Sequence, residues 1–241
     1  MRTAFALASL LVLAACGGGE AGSNSAAPAE PVAAVAPPAG QQWSDVVSKT
    51  PEGGFRMGNP DAPIKLVEYG SRTCPACGAF AKDGFEPLSE KVRTGSVSFE
   101  FRDYLIHGAA DIASAVLGRC GGPAPFFPML EQMYAQQSET LDRLQNMPAN
   151  IQEQMQGMPP AQAVSIMAEQ GGYLDFVKQR GVSESQARQC LADTGTIDEL
   201  VKMTEDATEV TGTPSFFING EKQDGAIGWS DVEAALKRAG A

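Results

Sequence analysis

Apolar and polar positions alternate along the chain in a pattern that predicts strands and helices in turn. Residues 64–69 (Ile-Lys-Leu-Val-Glu-Tyr) are apolar and β-branched, as in a buried strand, and residues 97–103 alternate apolar with polar side chains, as in a second strand. Between them a helix is expected from Pro75 to about residue 91, because a proline in the first turn loses no amide partner. Another helix is expected over residues 109–119.

The second half of the chain predicts mostly helices and then a closing hairpin. Prolines and glycines divide residues 121–193 into short helical stretches, so we expect an inserted all-helical subdomain there. Residues 214–219 and 221–227 predict a β-hairpin before a final helix over 231–238. Capping patterns predict three helix starts, which pair Ser183 with Gln186, Thr196 with Glu199, and Ser230 with Glu233. The order of elements predicts an α/β protein with a central mixed sheet flanked by helices.

The first 42 residues differ in composition from the rest. Residues 1–15 combine Arg2 with an apolar run and small residues before Cys16, and the run is too short to span a bilayer, so we interpret this segment as an export signal. It resembles a bacterial lipoprotein signal, which implies cleavage before Cys16 and a lipid on its sulfur; an ordinary secretory signal with an incidental cysteine is the alternative. Residues 16–42, rich in Gly, Ala and Pro, predict a disordered linker before a folded domain over 43–241.

The charge balance narrows the class of partner. The chain has 29 acidic and 18 basic residues, a formal net charge of -11, and no basic run. Because neutralising phosphates requires clustered Lys and Arg, a nucleic-acid partner is not expected. A protein or small-molecule partner is expected instead.

Four cysteines remain besides Cys16, in a chain bound for a compartment where disulfides persist. Three pairings are possible in principle, and the two-residue spacing of Cys74 and Cys77 favours that pair. A structural zinc site is the alternative, but such sites normally combine two closely spaced couples, whereas Cys120 and Cys190 are 70 residues apart. No metal and no cofactor are therefore expected.

The sequence Cys74-Pro-Ala-Cys77 follows a predicted strand and opens a predicted helix. A thiolate is the reacting species in disulfide exchange, and a helix N-terminus stabilises it through its partial positive charge and free backbone N–H groups. Cys74 is thus predicted to be the nucleophile, and Cys77, about one turn further on, the thiol that resolves the mixed disulfide. A purely structural or metal-binding pair is the competing interpretation.

Two segments together carry a family resemblance. The stretch Leu66-Val-Glu-Tyr-Gly-Ser-Arg-Thr-Cys-Pro-Ala-Cys77 and the stretch Val210-Thr-Gly-Thr-Pro-Ser-Phe-Phe-Ile-Asn-Gly220 resemble the DsbA-like branch of the thioredoxin superfamily. The resemblance covers the chain from about residue 57 and implies a thioredoxin fold with a helical insertion. It also implies a cis peptide bond at Thr213-Pro214 that faces the cysteines and leaves Thr213 backbone groups free to pair with an extended substrate. An ordinary turn proline is the alternative.

The resemblance assigns roles to further residues. Glu68 matches a buried acid of the family that accepts the proton of Cys77, and burial would raise its pKa; a carboxylate at a solvated strand end is the alternative. Cys120 and Cys190 match an extra pair that forms a structural disulfide in some members, with two free thiols as the alternative. His107, the only histidine, is expected to be structural, which makes a metalloenzyme or a Ser-His-Asp hydrolase a poor fit.

Six of the nine methionines lie between residues 129 and 167. Met147, Ile151, Met155 and Met158 recur at helical spacing, which favours core packing. Thioether chemistry would also suit an adaptable peptide-binding surface or a copper(I) site. A non-enzymatic binding protein is for this reason one alternative function.

The resemblance implies a monomeric, periplasmic, lipid-anchored thiol-disulfide oxidoreductase, on the inner or the outer membrane. We expect an oxidase whose substrates are exported proteins and whose partner is a quinone-linked membrane protein. The dipeptide Pro75-Ala76 lacks the histidine of strong oxidases, so a weaker oxidant is expected. Thr213 resembles the isomerase branch, and a reductase or isomerase that receives electrons from a membrane donor is the alternative.

Overall fold

The computed structural model describes residues 29–241, and the prediction of a mixed sheet flanked by helices is confirmed. Six strands lie in the order β1-β2-β4-β3-β5-β6, with β3 and β4 parallel and the other neighbours antiparallel. The strands are β1 (Val47–Lys49), β2 (Phe55–Gly58), β3 (Ile64–Gly70), β4 (Val97–Asp103), β5 (Ser215–Ile218) and β6 (Glu221–Lys222).

Helices cover the sheet and fill the chain between β4 and β5. The described part of the chain forms α1 (Pro75–Arg93), α2 (Ala109–Arg119), α3 (Phe126–Ala135), α4 (Gln137–Gln145), α5 (Ala149–Met155), α6 (Pro160–Gln170), α7 (Tyr173–Lys178), α8 (Glu184–Ala192), α9 (Thr194–Asp206) and α10 (Trp229–Arg238). The eight helices α2 to α9 separate β4 from β5. The helical insertion expected from the sequence is present, but it extends beyond the predicted residues 121–193 to include α2 and α9, which pack into the same core as its other helices.

Strands β1 and β2 were not predicted. They have three and four residues, too few for a clear alternating pattern, and both precede the predicted sheet. Strand β2 pairs antiparallel with β4, where Phe55 lies opposite Phe101. Strand β2 pairs with a strand distant in sequence, and β1 pairs with β2, so tertiary structure stabilises both strands.

The predicted hairpin is present but shorter than expected, since its second strand has only two residues. Asn219 and Gly220, between the strands, both have positive φ, as tight hairpin turns require. The helix start at Ser183 is confirmed, because its hydroxyl accepts the N–H of Gln186.

Two other predicted helix starts are wrong, because a neighbouring aspartate supplies the cap. Helix α9 begins at Thr194, and the Asp193 carboxylate accepts the N–H of Gly195 and the hydroxyl of Thr196. Helix α10 begins at Trp229, ahead of Ser230. The Asp231 carboxylate accepts backbone N–H groups at the start of α10. A carboxylate near a helix N-terminus also gains from the helix dipole.

The insertion has a hydrophobic core separate from that of the sheet. The sheet core includes Leu66, Phe80, Phe99, Phe101 and Phe216, and the insertion core includes Leu117, Met133, Val164, Tyr173 and Leu200. The prediction that the regularly spaced apolar residues around α5 pack into the core is wrong. Met147, Ile151, Met155 and Met158 are only half-buried. Helix α5 has no buried residue, so these side chains lie at the surface.

Residues 29–35 of the predicted linker contact the folded domain. The N–H of Val32 donates to the carbonyl of Gly240, and the N–H of Val35 donates to the carbonyl of Thr94. The indole N–H of Trp43 donates to the carbonyl of Val35 at 2.7 Å. Backbone pairing of this kind orders a segment whose composition predicted disorder.

The signal, Cys16 and the first part of the linker lie outside the described residues. None of the helices within residues 29–241 is long and apolar enough to cross a membrane.

A disulfide joins Cys120, just after α2, to Cys190 in α8. Closing a loop of 70 residues restricts the unfolded chain, which stabilises the folded state by about 4 kcal/mol on the chain-entropy model.

We therefore expect Cys120→Ala/Cys190→Ala to lower the free energy of unfolding by about 2–4 kcal/mol in urea denaturation. An unchanged midpoint and slope would contradict a stabilising role.

Candidate active site

Cys74 and Cys77 begin helix α1. Cys74 is the N-cap residue with an extended backbone, and Pro75 takes the first helical position, where its missing N–H costs no hydrogen bond. Both cysteines are reduced and buried, with 7% of Cys74 and none of Cys77 exposed. The sulfur of Cys74 is thus the one that a partner can approach.

A second loop closes over Cys74 from the far end of the chain. The peptide bond between Thr213 and Pro214 is cis, immediately before β5. In its protonated form, the Cys74 thiol donates to the carbonyl of Thr213 at 3.3 Å. The two motifs of the sequence, 139 residues apart, therefore meet at the sulfur.

The surroundings of Cys74 favour its thiolate. Its pKa is lowered from an ordinary value of 9.0 to about 5. The hydrogen bond from the Cys77 side chain contributes most, and burial opposes it. The Thr213 side chain and the backbone N–H groups of Cys77 and Ala76 lower the pKa further. At pH 7 Cys74 is accordingly a thiolate, which is the form that attacks disulfides and leaves from them.

Glu68 lies beneath the cysteines in the middle of β3. It pairs with Phe101 on β4 and Phe216 on β5 and is fully buried, and neither of its carboxyl oxygens has a hydrogen-bond partner among residues 29–241. Burial, and then the charge of Cys74, raise its pKa well above the ordinary value. Burial also raises the pKa of Cys77, as do its hydrogen bond to Cys74 and the charge of Glu68. The Cys77 thiol is therefore protonated at neutral pH, burial favours the protonated form of the Glu68 carboxyl, and either group can exchange a proton when a disulfide opens.

Asp111 holds the residues that precede Cys74, and the sequence analysis missed it. Its carboxylate accepts the hydroxyls of Ser71 at 2.7 Å and Thr73 at 2.5 Å. It also accepts the backbone N–H groups of Ile106 and His107, each at 2.6 Å. Four donors stabilise a buried charge that would otherwise be costly. The available signal was a single acid in a helix otherwise rich in Ala, Ile and Val.

His107 is exposed and touches the same cluster. Its Nδ1 lies 2.7 Å from the Thr73 hydroxyl, next to Cys74 in the chain. The predicted structural role for the only histidine fits this position at the edge of the loop.

A buried ion cluster anchors the other side of the loop. The guanidinium groups of Arg72 and Arg119 both pair with Asp103 at the end of β4. The Arg72 guanidinium also lies 5.4 Å from the ring centre of Phe101. Burial lowers the pKa of each arginine to about 10. Removing one member would leave an unpaired charge in the core, so this cluster constrains the loop strongly.

The structure brings five predicted site residues together, namely Glu68, Cys74, Cys77, Thr213 and Pro214. It leaves Cys120 and Cys190 at the surface of the insertion. Within residues 29–241, no three His, Cys, Asp or Glu side chains are grouped as metal ligands.

The pH dependence of alkylation tests the state of Cys74. In the reduced protein we expect the rate of its reaction with iodoacetamide to be half-maximal near pH 5. The rate should fall below that pH and be constant above it. Because the Cys77 side chain contributes most, Cys77→Ala should move this midpoint upward. A midpoint near 9 in the unchanged protein would contradict the stabilised thiolate.

The pH dependence of stability tests the buried state of Glu68. Because the pKa of Glu68 is raised in the folded protein, its contribution to the free energy of unfolding is fully present below the ordinary pKa of 4.5. That contribution is lost as pH rises toward the pKa of Glu68 in the folded protein. Glu68→Gln does not titrate, so its free energy of unfolding should exceed that of the unchanged protein by an amount that grows by about 1.4 kcal/mol per pH unit above 4.5.

Urea denaturation of the oxidised proteins, in which the active cysteines do not titrate, measures this difference. Glu90 is exposed on the helix that carries Cys77, so Glu90→Gln is the matched control for the loss of a carboxyl group. A difference for Glu68→Gln that follows that of Glu90→Gln at every pH would show that Glu68 is ionised in the folded protein.

Comparison with known proteins places this site in a family. The family model described as Thioredoxin matches residues 50–238. A protein of Rickettsia bellii named as a protein-disulfide oxidoreductase is 24% identical over 198 residues, which cover 80% of this chain and 67% of that protein. The chain spans between 54 and 67% of the length of its five Rickettsia relatives.

Solved structures agree on the fold. The crystal structure of a protein-disulfide isomerase from Novosphingobium aromaticivorans has a TM-score of 0.71 and 26% identity, over 75% of this chain and 94% of that one. The Wolbachia pipientis protein α-DsbA1 has a TM-score of 0.58 at 18% identity, over 79% of this chain and 92% of that one, which supports the fold alone. The resemblance found in the two sequence motifs is confirmed. The chain belongs to the thioredoxin family.

Proposed function

We propose that this protein exchanges disulfides with other proteins through Cys74 and Cys77. The observation that carries the proposal is the Cys74 sulfur at the start of α1, within 3.3 Å of the cis-proline loop. A nucleophilic sulfur, a second thiol one turn away and a backbone edge beside them are the parts that this chemistry needs.

In the oxidising direction, a substrate thiolate attacks Sγ of Cys74 in the Cys74-Cys77 disulfide. The disulfide breaks, a mixed disulfide forms, and Cys77 leaves and takes a proton, for which the buried carboxyl of Glu68 is the candidate donor. A second substrate thiolate then attacks the substrate sulfur, and Cys74 leaves as a thiolate. The substrate loses two electrons and the cysteine pair gains them.

The oxidase direction is favoured by the stability of the Cys74 thiolate. A lowered pKa makes Cys74 a good leaving group and stabilises the reduced protein, and both effects favour donation of the disulfide. A membrane protein linked to quinone would restore the disulfide, and cysteine-containing exported proteins would be the substrates. Lipid attachment at Cys16 would hold the enzyme at a membrane facing the periplasm.

An isomerase or reductase is the second candidate. It is favoured by Thr213 before the cis-proline and by the name of the similar Novosphingobium protein, a protein-disulfide isomerase. Its cysteine pair would be kept reduced by an electron donor in the membrane. The two candidates differ in the reduction potential of the same pair.

The reduction potential against glutathione decides between them, measured on Cys16→Ser protein with the Cys120-Cys190 disulfide intact. We expect a potential clearly above that of thioredoxin, about -270 mV, together with oxidation of a reduced, unfolded model protein. A value in the thioredoxin range would support the reductase. Cys74→Ser should abolish either activity, whereas Cys77→Ser should accumulate the mixed disulfide, and full activity of Cys74→Ser would contradict the proposal.

A further inference from the structure

The loop that carries Cys74 is held by a glutamine from the helical insertion. Gln137 is the first residue of α4 and is buried, with 7% of its surface exposed. Its Nε2 donates to the carbonyl of Arg72 at 2.9 Å and to the carbonyl of Cys74 at 2.8 Å. Both N–H bonds of one amide thus bind the backbone of the loop, from more than 60 residues away in the chain.

Gly78 makes room for this side chain. Gly78 lies one turn into α1, and a Cβ built on it would overlap Oε1 of Gln137. A glycine there costs helix stability relative to alanine, by about 1 kcal/mol. The neighbouring helix α3 adds a third contact, since the hydroxyl of Tyr134 donates to the carbonyl of Ser71 at 3.2 Å.

These contacts matter for the charge on the sulfur. A carbonyl oxygen carries partial negative charge, and an unpaired one beside a thiolate would destabilise it. Gln137 donates to the carbonyls of Arg72 and Cys74, and the Cys74 carbonyl also accepts the N–H of Gly78. The backbone N–H groups of Ala76 and Cys77 are left to stabilise the sulfur.

We propose that Gln137 is a positioning residue that sets the redox properties of the cysteine pair by binding the Arg72 and Cys74 carbonyls. The insertion thereby affects the stability of the Cys74 thiolate and the reduction potential without contacting either sulfur. This role deepens the proposed function and rests on it only where the reduction potential is concerned.

Replacement of Gln137 by methionine tests the role. Gln137→Met keeps the length and volume of the side chain but removes both donors, which leaves the Arg72 carbonyl unpaired and the Cys74 carbonyl with only the N–H of Gly78. We expect the midpoint of the thiolate absorbance of Cys74 near 240 nm to rise by about one pH unit, a tenfold loss of thiolate stability. The reduction potential should fall by about 30 mV, which is the same tenfold change for two electrons.

Gln136→Met is the matched control. Gln136 is the exposed neighbour of Gln137, so its replacement adds the same side chain without removing a contact to the loop. We expect no change in the thiolate midpoint or in the potential. Near-UV circular dichroism of both variants checks that the aromatic core remains packed.

Gly78→Ala gives an independent test if Gln137→Met does not fold. The added methyl group meets the flexible end of Gln137, so it displaces the amide while the helix gains a better helix former. We expect the thiolate midpoint to rise although stability is kept. In the double variant with Gln137→Met, the alanine should add no further rise, because the hydrogen bonds are already gone.

An unchanged midpoint in folded Gln137→Met or in Gly78→Ala would overturn the proposal and leave Gln137 a packing residue. The absorbance titration requires no protein substrate. A protein without oxidoreductase activity but with the expected rise would contradict the proposed function alone. Normal exchange activity together with unchanged midpoints would contradict the role of Gln137 alone.

Discussion

A negative charge on a sulfur that is almost out of water is the constraint on which the rest of the site depends. Cys74 can carry this charge because the Cys77 thiol, the Thr213 side chain and the first N–H groups of α1 surround it. These donors come from the first turn of α1 and from the cis-proline loop. The parallel pair β3-β4, the cis-proline before β5 and the start of α1 are therefore arranged around one atom.

The surrounding polar groups make the site costly to fold. Glu68 is fully buried and has no hydrogen-bond partner in the part of the chain that the structure describes, and Arg72 and Arg119 share one buried aspartate. Such groups destabilise a fold unless other contacts offset them. Two hydrophobic cores, one under the sheet and one in the insertion, and the Cys120-Cys190 disulfide supply that stability.

The insertion contacts the loop before Cys74 from two directions. Asp111 on α2 binds the side chains of Ser71 and Thr73, and Gln137 on α4 binds the carbonyls of Arg72 and Cys74. Helices of the insertion thus pair polar groups of this loop, and a fold without the insertion would lack those partners. The insertion therefore contributes to the chemistry of the site as well as to the surface of the protein.

The sequence by itself determined the sheet of β3, β4 and β5, helix α1 and the Cys-Pro-Ala-Cys pair at its start, because those signals lie within a few neighbouring residues. The sequence did not predict the short strands β1 and β2, because their pairing partners stabilise them. It also did not predict the aspartate caps of α9 and α10, because adjacent polar residues compete for the same backbone N–H groups. Tertiary structure alone identified Asp111 and Gln137. Their side chains bind a loop 38 to 65 residues away, and no local pattern records which distant carbonyl or hydroxyl a buried polar group will meet.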